Sequence, residues 1–263
     1  MEELVEEELL EQCLFRRLLA RRLHEGKTSI SSTKYLARQL LSNKTMVYSA
    51  SLAEVSRVAS LVSSGLVSVG ASLSHVHVPG RAFVPDDFDK GDDIELGMGI
   101  HNEEGFKRLN TDLPGLVKHM LAQLLDPNDV DRAYVDIRPA QPVVLLINNL
   151  GAVSVLELGY ITEEICLQLG SSYSLQPARI LAGTFMSSLN GLGFSISILK
   201  LADTGLASGV SMLELLDDTT ESIGWMAAVQ PATWTGNVED RRFSAEEDDI
   251  EALPTSKLSC KCS

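Results

Sequence analysis

Basic residues are scarce in this chain. Its 22 Lys and Arg stand against 36 Asp and Glu, a net charge of −14. That balance argues against nucleic acid and anionic membrane surfaces as partners, because both are bound by clustered Lys and Arg. Cysteine is sparse too. The four are Cys13, Cys166, Cys260 and Cys262. They suggest no disulfide framework, which fits a reducing cytoplasm. Cys260 and Cys262 lack the second pair that a zinc site needs, so they read as tail residues and no metal ligands are assigned. The N-terminus opens on Glu2, Glu3, Glu6, Glu7 and Glu8, the wrong charge for a secretory signal or a mitochondrial presequence. No apolar run approaches bilayer length; the longest, Val143–Ile147, is strand-sized. Also missing are a GxxxxGK[ST] phosphate loop, a GxSxG elbow and an HExxH helix. Asp86, Asp87, Asp89, Asp92 and Asp93 lack EF-hand spacing and read as a solvated loop.

What is present describes a soluble globular protein: 44% hydrophobic and 22% charged over 263 residues, enough chain for a good core in one or two domains. Residues 1–24 carry Leu4, Val5, Leu9, Leu10, Cys13 and Leu14 at helical spacing. Acids crowd that segment's start and Arg16, Arg17, Arg21 and Arg22 its end, which suits the helix dipole. Residues 33–41 read as a second short helix. Ser51 followed by Glu54 is a capping-box signal for a helix lined by Leu52, Val55, Val58, Ala59 and Val62. Residues 66–74 alternate as a strand, Pro79-Gly80 is a turn, and 94–98 reads as a short strand.

Residues 112–125 form a helix with Pro114 in its first turn; His119 falls among its polar positions. Val143–Ile147 suits a central strand. The following Asn148-Asn149-Leu150-Gly151 is either a cleft-lining turn or plain turn chemistry. A helix is expected over 154–169. Strands are expected over 178–186 and 193–201, joined at Asn190-Gly191 as a hairpin, with a last helix over 211–216. From about residue 237 the chain is acidic and polar and reads as disordered.

One stretch concentrates chemistry: Glu95-Leu96-Gly97-Met98-Gly99-Ile100-His101-Asn102-Glu103-Glu104-Gly105. Gly97 and Gly99, lacking a Cβ, allow positive φ or close approach to a ligand, and Gly105 can do the same on the other side. His101 would therefore sit on a bent, open backbone. Imidazole is well suited to nucleophilic or proton-carrying work at neutral pH. A solitary loop histidine also serves simply to cap a helix or bond a carbonyl.

This motif, with Val67–Arg81, Val143–Gly159 and Ala178–Leu201, resembles the substrate-binding K domain of dihydroxyacetone (glycerone) kinases. The resemblance runs in order from about Leu52 to about Trp225 and is to the second half of that domain. It implies an α/β fold: a mixed sheet flanked by helices, the second subdomain of a DhaK-type fold, over residues 47–236. A helical extension (1–46) would precede it and an acidic disordered tail (237–263) follow.

The resemblance implies that His101 bonds covalently to a small ketone as a hemiaminal, with Gly97 and Gly99 shaping the substrate site. The substrate would be dihydroxyacetone or a similar short-chain ketose or aldose. ATP and Mg are implied as cofactors. The family's K domains are dimeric, so a homodimer is a candidate state. Several family features find no match: the first half's glycine-rich turn with His-Glu-Pro, its base aspartate, and the nucleotide domain with clustered aspartates. Asp217-Asp218 and Asp248-Asp249 do not fit that last pattern. The isolated chain is thus expected to be an incomplete kinase, the alternative being a non-catalytic carbonyl-binding or dimerising module.

Overall fold

The structure, a computed structural model, describes residues 40, 50–74, 76, 80, 94–97, 105–129, 133–220 and 225. The expected first helix, the second apart from Leu40, which is helical and buried, the aspartate-rich loop, the acidic tail and the Cys260/Cys262 pair lie outside the described residues.

Chain order runs α1 (Leu52–Gly65), β1 (Leu66–Ser72), β2 (Ile94–Leu96), β3 (Lys107–Leu109), α2 (Leu113–Leu125), β4 (Val143–Asn149), α3 (Val155–Tyr173), β5 (Pro177–Gly183), β6 (Gly193–Lys200) and α4 (Met212–Asp217). The strands make one six-stranded sheet in the order β3-β2-β1-β6-β4-β5. Only β4 and β5 pair in parallel; the other neighbours are antiparallel. The mixed sheet with flanking helices agrees with the expected fold.

Strand alternation divides the core into two layers. Val143, Leu145 and Ile147 of β4 join Val67, Val69 and Ala71 of β1 and Phe194, Ile196 and Ile198 of β6 on one face, under α2 and α3. Val144 and Leu146 point the other way, with Leu199, towards α1 and α4. All seven residues of β4 are buried, because helices cover both its faces and strands flank both its edges.

Serine caps set three helix starts. Ser51, Ser154 and Ser211 each accept from the backbone N–H three residues on, while Glu54, Glu157 and Glu214 reach back to the serine's own N–H. Asp112 caps α2 by accepting from the Gly115 N–H, and Pro114 sits in the first turn as expected. Hydrogen bonds from the backbone N–H and hydroxyl of Ser51 hold the Glu54 carboxyl below its ordinary value of 4.5. For Glu157 the Ser154 hydroxyl comes first and the backbone second. A carboxyl depressed by folding stabilises the fold above its ordinary value and loses that contribution as pH falls through the folded one. Ser154→Ala removes the N-cap hydroxyl and should cost about 1 kcal/mol at neutral pH. In urea titrations, the gap from wild type should narrow as pH drops below about 4.5.

Two expectations change. β5 and β6 do not form a hairpin: β4 lies between them, pairing with both. Residues 184–192 cross the end of β4 instead. The Ser188 N–H donates to the Leu150 carbonyl at 2.7 Å, and the Ala152 N–H to the Gly191 carbonyl at 3.1 Å. Asn190-Gly191 does turn the chain, with Gly191 N–H on Ser188 O at 2.8 Å, but inside a crossover. A turn dipeptide specifies a local bend, not which strands become neighbours. The edge strand β3 is too short to leave a period-two signal and was not expected.

Candidate functional site

The described parts of the chemistry-bearing stretch, residues 95–97 and 105, stand at the end of β2 and just before β3. Ile94 and Leu96 insert into the apolar layer, so Glu95 projects to the opposite face. It is only 1% exposed. There it is in register with Ser72 of β1. Gly97 follows at φ 82°, a conformation that glycine adopts without steric cost. Its N–H donates to the Gly70 carbonyl at 2.8 Å. Gly97 thus takes the positive φ expected of it. Gly99 and His101 lie outside the described residues, as do Glu103 and Glu104.

The return side of the turn is described. The Phe106 N–H donates to the Leu96 carbonyl at 2.9 Å. The Gly105 N–H donates to Oε1 of Glu95. A Cβ on Gly105 would collide with the Leu96 carbonyl oxygen and stand 2.6 Å from Glu95 Cγ. Gly105 is therefore required by close approach rather than by positive φ. Residues 98–104, which include His101, are bracketed by two glycines, Gly97 bonded to the Gly70 carbonyl and Gly105 to the Glu95 carboxylate.

Beside the turn, the sheet face carrying Glu95 is small and polar. Ser68, Ser72, Ser195 and Ser197 are all buried. The Ser68 and Ser197 hydroxyls meet at 2.8 Å. Gly70 pairs with Ser195, and Ser195 with Asn148, so a row runs from Gly97, just past β2, through Gly70, Ser195 and Asn148 on three strands.

Asn148 and Asn149, expected in a turn, are instead the last two residues of β4, and the alternatives left open for them now separate. Asn148 Oδ1 accepts from the N–H of Phe185 and of Met186, each at 2.9 Å, and Nδ2 donates to the Met186 carbonyl at 2.8 Å. Asn149 Oδ1 accepts from Gly151 and Val153, while its Nδ2 donates to Val153 O at 2.7 Å. Both side chains are engaged by the chain's own loops, the structural role. His119 is exposed on α2. Among the described residues no three His, Cys, Asp or Glu side chains converge as metal ligands, and no helix is long and apolar enough to cross a membrane.

Sequence reasoning counted Glu95 among the motif's carboxylates without giving it a task. A single acid between two core-facing apolar residues in a strand was the available signal. The buried Arg179–Asp217 pair was also missed; its members lie far apart in sequence.

Comparison with known proteins gives this geometry a family. The Dak1 domain profile matches residues 33–224, beginning ahead of the point, near residue 50, where the motifs become legible. A dihydroxyacetone kinase of Komagataella pastoris is 42% identical over 211 residues, covering 75% of this chain and 34% of that protein. The human triokinase/FMN cyclase is 34% identical over 199 residues, covering 75% of this chain and 32% of its own length. The chain thus spans about a third of the length of these curated relatives. Among solved structures, the C. freundii dihydroxyacetone kinase in complex with AMP-PNP and Mg2+ aligns with a TM-score of 0.59 at 27% identity, over 74% of this chain and 33% of that one. The dihydroxyacetone kinase operon co-activator Dha-DhaQ shares the fold, with a TM-score of 0.60 at 20% identity, over 77% of this chain and 62% of that one. The chain, with its glycine-bracketed turn at the end of β2, belongs to the Dak1 domain family.

Proposed function

We propose that this chain is the substrate-capturing part of an ATP-dependent dihydroxyacetone (glycerone) kinase, with His101 as the covalent anchor. The observation that carries this reading is the family match over residues 33–224, which contains the whole Glu95–Gly105 motif. The neutral imidazole adds a ring nitrogen to the ketone carbon. The carbonyl π pair moves to oxygen, which takes up a proton as the ring loses one from its other nitrogen. The product is a neutral hemiaminal whose mass is the sum of its parts, and the step reverses without a leaving group. Addition needs a carbonyl, so glycerol is rejected where hydrogen bonding alone would discriminate weakly. The bond also fixes the terminal hydroxyl for phosphoryl transfer. Gly97 and Gly99 give the turn the backbone freedom this requires.

ATP and Mg2+ belong to the proposed reaction by kinship with the relative solved with AMP-PNP and Mg2+. The described residues offer no converging set of metal ligands, so no step of the transfer is assigned to them. A second reading is a non-catalytic carbonyl-binding or dimerising module.

The test uses dihydroxyacetone labelled at its carbonyl carbon with an NMR-active isotope. The purified chain should move that carbon from the ketone to the tetrahedral region of the spectrum, and gentle intact-mass measurement should show the added ligand. His101→Ala should lose both signals. No adduct in the wild type would refute the anchor. ATP turnover by the chain alone would exclude the non-catalytic reading.

A further inference from the structure

We propose that Glu95 is a positioning residue whose buried carboxylate holds Gly105 and thereby fixes the C-terminal end of the segment that contains His101. The proposal rests on His101 being the anchor. Its own support is geometric. Glu95 is buried at 1% exposure on a strand whose flanking side chains, Ile94 and Leu96, enter the apolar core. Burying a carboxylate at a short edge hairpin is costly unless it is hydrogen-bonded. The N–H of Gly105, ten residues further on, donates to its Oε1. That approach is possible because residue 105 has no Cβ.

On the entry side, the Gly97 N–H is fixed to the Gly70 carbonyl. The two ends of the segment are therefore held by main-chain bonds, Gly97 N–H to Gly70 O and Phe106 N–H to Leu96 O, and the carboxylate of Glu95 adds the tie to Gly105 itself. A covalent anchor has to meet its carbonyl within a narrow range of distance and direction. A small shift at the end of the segment therefore weakens capture even when every group that touches the ligand is unchanged.

Two conservative variants separate reach from charge. Glu95→Gln keeps an acceptor oxygen at the same reach. Glu95→Asp keeps the charge but withdraws the acceptor by roughly 1.5 Å, one carbon–carbon bond. With the labelled-ketone assay, Glu95→Gln should retain wild-type affinity within about threefold, and Glu95→Asp should weaken it about tenfold. Melting temperatures should stay close together. The Gly105 amide should exchange slowly in wild type and Glu95→Gln, and quickly in Glu95→Asp. The reverse ranking would assign the effect to charge and overturn the proposal. Wild-type affinity in both variants, or equal weakening of both, would overturn it too, while leaving the His101 anchor standing. Absence of adduct in the wild type would remove the anchor and this role with it.

Discussion

Replacing Asp217 with alanine is expected to lower the unfolding free energy by about 3–5 kcal/mol, the cost of stranding a buried charge. Arg179 on β5 meets Asp217 at the end of α4. Its Nε stands 2.9 Å from Oδ1 and its second guanidinium nitrogen 2.5 Å from Oδ2. The two side chains are 11% and 16% exposed. The remaining guanidinium nitrogen donates to the Ala178 carbonyl at 2.6 Å. Asp217 closes α4, where a negative charge faces the negative end of the helix dipole. The arginine opposite offsets that. Without Asp217 the guanidinium stays buried and α4 loses its tie to the outermost strand.

Urea unfolding should show the loss as a lower midpoint with an unchanged slope. Arg179→Met combined with Asp217→Leu should recover most of it, because neither charge is then left behind. Arg179→Lys with Asp217 intact should itself lower the midpoint, since an ammonium cannot make the two-pronged contact. A single-site loss under 1 kcal/mol would show that the pair is solvated in solution.

Asn148→Ala should cost a similar amount, about 3–4 kcal/mol. Two main-chain donors, the N–H groups of Phe185 and Met186, share Asn148 Oδ1 as their acceptor. Each buried donor left without a partner costs about 1–3 kcal/mol. The Met186 carbonyl loses the Nδ2 donor as well. Phe185 is buried and stacks near Trp225, with ring centroids 5.2 Å apart, so the crossover above β4 would loosen as a unit. Asn148→Asp keeps the acceptor and loses the donor, and should fall between wild type and alanine. Amide exchange at residues 185 and 186 should accelerate in the same order. Unchanged exchange in the alanine variant would mean that water replaces the side chain without loss.

These two interactions also mark where the sequence stopped being readable. The helix start at Ser51 was legible because a cap and its partner sit three residues apart, and that of α2 because Pro114 suits a first turn. The central strand was legible because burial on both faces writes an unbroken apolar run. Asn148 and Met186, or Arg179 and Asp217, are 38 residues apart, and nothing local in either segment names the other. The same limit produced the hairpin reading at Asn190-Gly191: the bend was local and visible, while the intervening strand had come earlier in the chain. At the candidate site the motif was recognised through its glycines and histidine. Glu95 went unassigned because its partner is a backbone N–H, which every residue but proline carries.

The pairing of β1 with β6 bears on how this protein is made. Ser68 and Ser197 are neighbours across the sheet yet 129 residues apart in the chain. At ribosomal speed that interval takes on the order of ten seconds. Until β6 has emerged, β1 has no strand on its β6 side, and its apolar residues Leu66, Val67 and Val69, all destined for burial, wait without their cover. The nascent chain therefore passes through a period in which an adhesive strand must be shielded by helices or chaperones, and closing that long loop sets the pace of folding.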